Sequence, residues 1–160
     1  GWSPVLYMYR SVSKTELLGF YRASEIALIT PLRDGMNLVA KEYCASTIDE
    51  NVVLILSDFA GASDQLGKAA IVVNPYNTEE TADAIYKAYT MEFRERQKKM
   101  RQLRAEVKRN DIFQWVDWFL SAFRDQRDEE PISVPRPYDT LPEDVAIVHR
   151  HLEPLHKEKE

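Results

Sequence analysis

The stretch Val52-Val53-Leu54-Ile55-Leu56-Ser57 decides the fold. It is apolar up to its last residue, rich in β-branched side chains and too short for a core helix, so it reads as a strand buried on both faces. Strands of that kind belong to parallel sheets covered by helices on either side. Further out, Glu25-Ile26-Ala27-Leu28-Ile29-Thr30 and Ala70-Ile71-Val72-Val73 have the same character, and Val5-Leu6-Tyr7-Met8-Tyr9 adds a fourth β-rich run. Helical stretches alternate with them over 14–23, 38–45 and a short turn near 63–66, followed by 78–90, 92–108 and 112–123. This βαβ order predicts an α/β domain with a doubly wound parallel sheet.

The chain has 160 residues, enough for one domain whose core needs neither disulfide nor metal. Hydrophobic residues make up 44% and charged residues 29%, a globular composition. No apolar run nears the roughly 20 residues that span a bilayer, so no membrane anchor is expected. The single cysteine, Cys44, cannot form an internal disulfide, and no secretory leader opens the sequence, which points to a reducing, cytoplasmic compartment. Residues 1–124 hold 16 Lys+Arg and 16 Asp+Glu, whereas 125–160 hold 5 and 10, so the whole net charge of −5 lies in the tail. The tail also carries five of the eight prolines and all three histidines, but no glycine. The expected organisation is therefore one portion over 1–124 and an acidic, proline-containing tail over 125–160. Residues 125–139 of that tail read as an extended linker, with a terminal helix beyond it.

Ligands of open α/β sheets sit beyond the carboxyl ends of the strands, which directs attention to the loop Thr30-Pro31-Leu32-Arg33-Asp34-Gly35-Met36-Asn37-Leu38. Gly35 allows close backbone approach, and the amides of Asn37, Leu38 and Val39 would be unpaired donors at a helix start suited to phosphate. Glu42, four residues past Leu38, lies one turn along the same face, where a carboxylate can accept both hydroxyls of a ribose. Asp34 is placed to accept bonds from sugar hydroxyls. The alternative is that Asp34 and Glu42 only cap and solvate the helix.

The strings PLRDGMNLVAKEY at 31–43, LSDFAGAS at 56–63 and VNPYN at 73–77, with Asn110-Asp111, Trp115, Phe119 and Leu120 after them, resemble the trehalose-6-phosphate synthases, which are retaining GT-B glycosyltransferases. The resemblance covers residues 1 to about 124 and implies that 1–124 is an incomplete, Rossmann-like nucleotide-sugar-binding portion of a GT-B fold. It implies donor-sugar contacts from Asp34, Gly35, Met36 and Asn37, with Asp34 in the catalytic role, diphosphate contacts from Asn37, Leu38 and Val39, and a ribose contact from Glu42. It also points to Val12 and Leu17 for the nucleobase. The implied reaction moves glucose from a nucleotide sugar, typically UDP-glucose, to glucose 6-phosphate with retention, without metal or other cofactor. The leaving diphosphate accepts the acceptor's proton, and residues 1–124 indeed contain no histidine to act as base. Family members are several hundred residues long, so the acceptor should bind a further domain or a companion chain, and this chain alone should be inactive. A related synthase with another phosphorylated acceptor, such as a glucosylglycerol-phosphate synthase or a pseudo-glycosyltransferase, fits the same motifs, as does a non-catalytic regulatory subunit. A homo-oligomer is left open.

Other clusters have plainer readings. Arg94 to Arg109 holds eight Lys+Arg in sixteen residues, the pattern of a solvated amphipathic helix face rather than a nucleic-acid surface. His149, His151 and His156 lack the partners of a closed metal site and read as a polar terminal segment. Trp115, Trp118 and Phe119 recur at helical spacing and are expected to pack into a core, and Cys44 is expected there too.

Overall fold

The computed structural model describes residues 1–125. The expected linker, the terminal helix beyond it and the three histidines therefore lie outside the described residues, apart from Asp125 at a helix end. The elements in chain order are α1 (Lys14–Ala23), β1 (Ile26–Ile29), α2 (Leu38–Ser46), β2 (Val53–Ser57), α3 (Ser63–Leu66), β3 (Ile71–Val73), α4 (Thr78–Thr90), α5 (Phe93–Arg109) and α6 (Ile112–Asp125). They divide at Trp115 into a first unit, Gly1–Trp115, and a second of which 116–125 is described.

In the first unit the three strands pair in parallel in the order β1-β2-β3, with Ile26 opposite Val53 and Ile55 opposite Ile71. The central strand explains the architecture, because all five of its residues are buried. Leu54 and Leu56 join Ala40, Tyr43 and Cys44 of α2, Leu66 of α3, and Met100 and Leu103 of α5 in one cluster. Val53 and Ile55 join Val73 of β3, Ala84 and Ala88 of α4, and Met91 in another. The alternation of side chains along a strand thus feeds two separate cores, and helices cover both faces of the sheet. Cys44 is fully buried in the first core, which pushes its thiol up to about 12 and leaves no reactive thiolate.

The expected strand at Val5–Tyr9 does not form. No ladder partner is present among the described residues, and an extended segment without one is not held by its sequence alone. Its side chains are exposed, and the chain enters α1 instead through Ser13, whose hydroxyl accepts from the Glu16 amide.

The basic residues of α5 serve the fold. Arg96 is almost fully buried and donates to the carbonyls of Tyr89 and Met91, at 2.8 and 2.9 Å, while reaching Glu25 at 3.4 Å. Arg104 Nη1 donates to the carbonyls of Cys44, Ala45 and Thr47 at 3.0–3.1 Å, closing the carboxyl end of α2. Arg101 pairs with Glu50 at 2.6 Å, and Lys99 donates to the Ala69 carbonyl.

The aromatic residues of α6 depart from expectation. Trp115, Trp118 and Phe119 are 44–50% exposed rather than core residues.

Leu56→Ala should cost about 2–5 kcal/mol in a urea unfolding titration, since it empties a fully buried position of the central strand. Val72→Ala, at a position 38% exposed on the neighbouring strand, should cost under about 1 kcal/mol. Equal losses would contradict the two-sided burial of β2.

Candidate functional site

The loop leaving β1 is laced to the loop leaving β2. Asp34 forms an isolated parallel bridge with Ala60, its amide donating to the Phe59 carbonyl at 3.4 Å and its carbonyl accepting from the Gly61 amide at 2.8 Å. Beyond this bridge the Asp34 carboxylate folds back on its own loop. Oδ1 accepts from the amides of Met36 and Asn37 at 3.0 and 2.9 Å, and Oδ2 accepts from the Asn37 side-chain amide at 2.9 Å. These bonds, led by the one from Met36, hold the Asp34 carboxyl below the usual aspartate range against a smaller opposing effect of desolvation.

Asn37 then starts α2. Its backbone is left-handed, with φ 63° and ψ 77°, a conformation asparagine tolerates better than most residues, and its Oδ1 accepts from the Ala40 amide at 2.9 Å. Two expectations change here. The Asn37 amide is not an open donor, because Asp34 occupies it, so the unpaired amides narrow to Leu38 and Val39, for which the described residues offer no acceptor. Gly35 is also not the position where close approach demands glycine. Its φ is not positive, and a Cβ there would meet nothing within 4 Å. That requirement falls on Gly61, where a Cβ would lie 2.2 Å from the Gly35 carbonyl oxygen. Sequence reasoning did not single out Gly61, although it sits within the string at 56–63. Nothing local distinguishes it, because its constraint comes from a segment 26 residues away.

Two hollows open at this end of the sheet. One of about 130 Å³ is lined by Gly35, Met36, Lys41, Gly61, Ala62, Gln65 and Trp115. A mostly apolar one of about 380 Å³ is lined by Met36, Leu38, Lys41, Val107, Asn110, Asp111, Ile112 and Trp115. Lys41, which the sequence reading passed over, borders both. A third cleft of about 320 Å³ runs between α1 and α2, bordered by Lys14, Leu17, Leu18, Tyr21, Glu42, Ala45 and Ser46. The structure thus places Leu17 and Glu42 on one cleft and Gly35 and Met36 on another, while Val12 is half-buried just before α1 and borders none of them. Glu42 Oε2 accepts from the Tyr21 hydroxyl at 3.1 Å. Burial first, and then this carboxylate, pushes the Tyr21 phenol up to about 12. A fourth cleft, at Ser24, Glu25, Asn51 and Val52, lies at the amino ends of the strands, where α/β sheets do not bind ligands. Among the described residues no group of three or more His, Cys, Asp or Glu side chains is placed to hold a metal ion, and no helix is long and apolar enough to cross a membrane.

A parallel α/β layer whose first strand-to-helix loop leaves helix amides unpaired at the carboxyl ends of the strands is a Rossmann-like domain. The chain belongs to glycosyltransferase family 20, whose family model matches residues 1–125. It is 44% identical over 124 residues to the trehalose-6-phosphate synthase of Sodalis glossinidius, a match covering 77% of this chain and 26% of that protein. It is also similar to the crystal structure of an α,α-trehalose-phosphate synthase (UDP-forming) from Burkholderia vietnamiensis, with a TM-score of 0.72 and 43% identity over 78% of this chain and 28% of that one. An Escherichia coli structure bound with UDP-2-fluoro glucose matches with a TM-score of 0.72 and 40% identity, over 77% of this chain and 27% of that one. The chain spans about a quarter of the length of these relatives.

Gly61→Ala should lower stability by about 1–3 kcal/mol in urea, because backbone must move to admit the methyl group. Gly35→Ala should stay within about 0.5 kcal/mol of the parent, and the reverse ranking would refute the geometry of the paired loops. By carboxyl-carbon NMR titration, Asp34 should have a midpoint below the value of about 3.9 for an unfolded aspartate. Because the folded value is the lower one, its contribution to stability is present above about pH 4 and is lost as pH falls through the folded midpoint. A midpoint at or above the unfolded value would mean that the turn does not form in solution.

Proposed function

We propose that this chain supplies the donor-binding part of a retaining glycosyltransferase that moves glucose from UDP-glucose to glucose 6-phosphate, giving trehalose 6-phosphate. The single observation that carries this reading is the α2 start, with two unpaired amides directly following a loop whose Gly35 and Met36 line a hollow together with Gly61. The names of the similar proteins, UDP-forming trehalose-phosphate synthases, support the donor and the product.

In this reading the diphosphate lies against the amides of Leu38 and Val39 at the positive end of α2, the ribose hydroxyls donate to Glu42, and the base enters the α1/α2 cleft beside Leu17. The glucose rests along Gly35, Met36 and Asn37. Asp34 keeps unused lone pairs on Oδ2 for a sugar hydroxyl while its other bonds fix the loop. The bond from the anomeric carbon to the phosphate oxygen breaks and the new glycosidic bond forms on the same face. The acceptor's hydroxyl proton passes to the departing phosphate oxygen, so no side-chain base is needed. What the protein contributes is orientation and stabilisation of the charge growing on the diphosphate. The acceptor phosphate belongs to the three quarters of the relatives' length that this chain does not match. The lone buried cysteine suits a reducing, cytoplasmic setting.

UDP added to the 160-residue chain should shift the amide resonances of Leu38 and Val39, and Glu42→Ala should weaken that binding by about 1–3 kcal/mol by calorimetry. UDP-glucose and glucose 6-phosphate incubated with the chain alone should give no product. UDP binding that Glu42→Ala leaves untouched, or shifts confined to another face, would overturn the assignment.

A further inference from the structure

Tyr21 has no role in the chemistry above, yet it touches the residue assigned to the ribose. Its hydroxyl donates to Glu42 Oε2 at 3.1 Å, and Glu42 Oε1 accepts from no donor among the described residues. The Tyr21 ring is itself fixed from behind. It meets the ring of Tyr43 edge-on, with centroids 6.1 Å apart and planes at 79°. Tyr43 is 1% exposed and donates its own hydroxyl to the Ser24 carbonyl at 3.1 Å. A continuous chain of contacts therefore runs from the backbone just before β1, through two rings, to one oxygen of a carboxylate on the α1/α2 cleft.

Glu42 has three rotatable side-chain bonds and, standing alone on a helix surface, would sample several directions. A phenol bonded to an ionised carboxylate can only donate, so it takes one lone pair and leaves the rest of the acceptor set intact. A vicinal diol offers two donors at a fixed separation, which a carboxylate of fixed orientation can accept together. We infer that Tyr21 is a positioning residue that holds the Glu42 carboxylate in the orientation needed to accept the two hydroxyls of a ribose. The inference rests on the donor reading above. It goes beyond that reading by placing ribose recognition in a pair of residues rather than in Glu42 alone. The raised Tyr21 pKa agrees, since the phenol stays protonated and donating throughout the physiological range.

If the Tyr21–Glu42 bond only pinned α1 to α2, its loss would affect all nucleotides alike. The test is calorimetric titration of the 160-residue chain with UDP and with 2′,3′-dideoxy-UDP, for the parent, Tyr21→Phe, Glu42→Gln and the double variant. Tyr21→Phe keeps the ring and its contact with Tyr43. It should weaken UDP about fivefold, leave the dideoxy nucleotide within twofold, and have no further effect once Glu42→Gln is present. An unchanged UDP affinity, or equal weakening of both nucleotides, would overturn the positioning role while leaving the donor reading intact. Failure of the parent chain to bind UDP at millimolar concentration would overturn both.

Discussion

The site depends on one close contact between two loops. The Gly61 amide donates to the Asp34 carbonyl at 2.8 Å, and Gly61 lies against the Gly35 carbonyl so tightly that no side chain fits between them. This contact extends the β1–β2 pairing past the ends of the strands. The strand pairing is a matter of hydrophobic burial, whereas the extension is a matter of backbone alone. Because of it, the Asp34–Asn37 turn is anchored at the ends of the strands, and α2 begins directly after the Gly35–Met36 segment that lines a hollow.

The same helix is fixed at its other end by different means. Arg104 caps the carbonyls at 44, 45 and 47, and the guanidinium places positive charge at the negative end of the helix. Between the two ends Ala40, Tyr43 and Cys44 are buried against β2 and α5. α2 therefore has little freedom to slide. The proposed diphosphate contact needs such a fixed register, because preorganised dipoles stabilise developing charge only if they need not reorient. The density of arginine on α5 belongs to this scaffold, which accounts for so basic a helix in a unit whose charges otherwise balance.

Much of this was legible from local pattern. An unbroken apolar run gave β2, helical period gave α1, α4 and α5, and the glycine-containing loop after β1 located the start of α2. What escaped was whatever two distant segments decide together. The exclusion of a side chain at Gly61 arises from residue 35, and the strand expected at Val5–Tyr9 has β-type residues but no partner to ladder with. The exposure of Trp115 could not be read from its spacing either, since helical periodicity shows that an apolar face exists and not what covers it. Asn37 shows the intermediate case. An asparagine ahead of an apolar helix does signal a cap, but the left-handed backbone that turns its amide toward Asp34 follows from the loop as a whole.

The presence of a carboxylate at the start of a helix proposed to meet a diphosphate looks self-defeating, and the geometry resolves it. Asp34 accepts three bonds, two from backbone amides and one from the Asn37 side chain. Its charge is thus balanced locally by dipoles that would otherwise compete for the incoming phosphate, while the Leu38 and Val39 amides remain outside its reach. In the proposed donor complex the two charges also act on different atoms. The helix start faces the departing diphosphate, which becomes more negative as the bond breaks, and Asp34 faces the sugar, which becomes more positive. In that complex one short loop can act on both ends of the breaking bond, because the Asp34 carboxylate takes up the Met36 and Asn37 amides and leaves those of Leu38 and Val39 open.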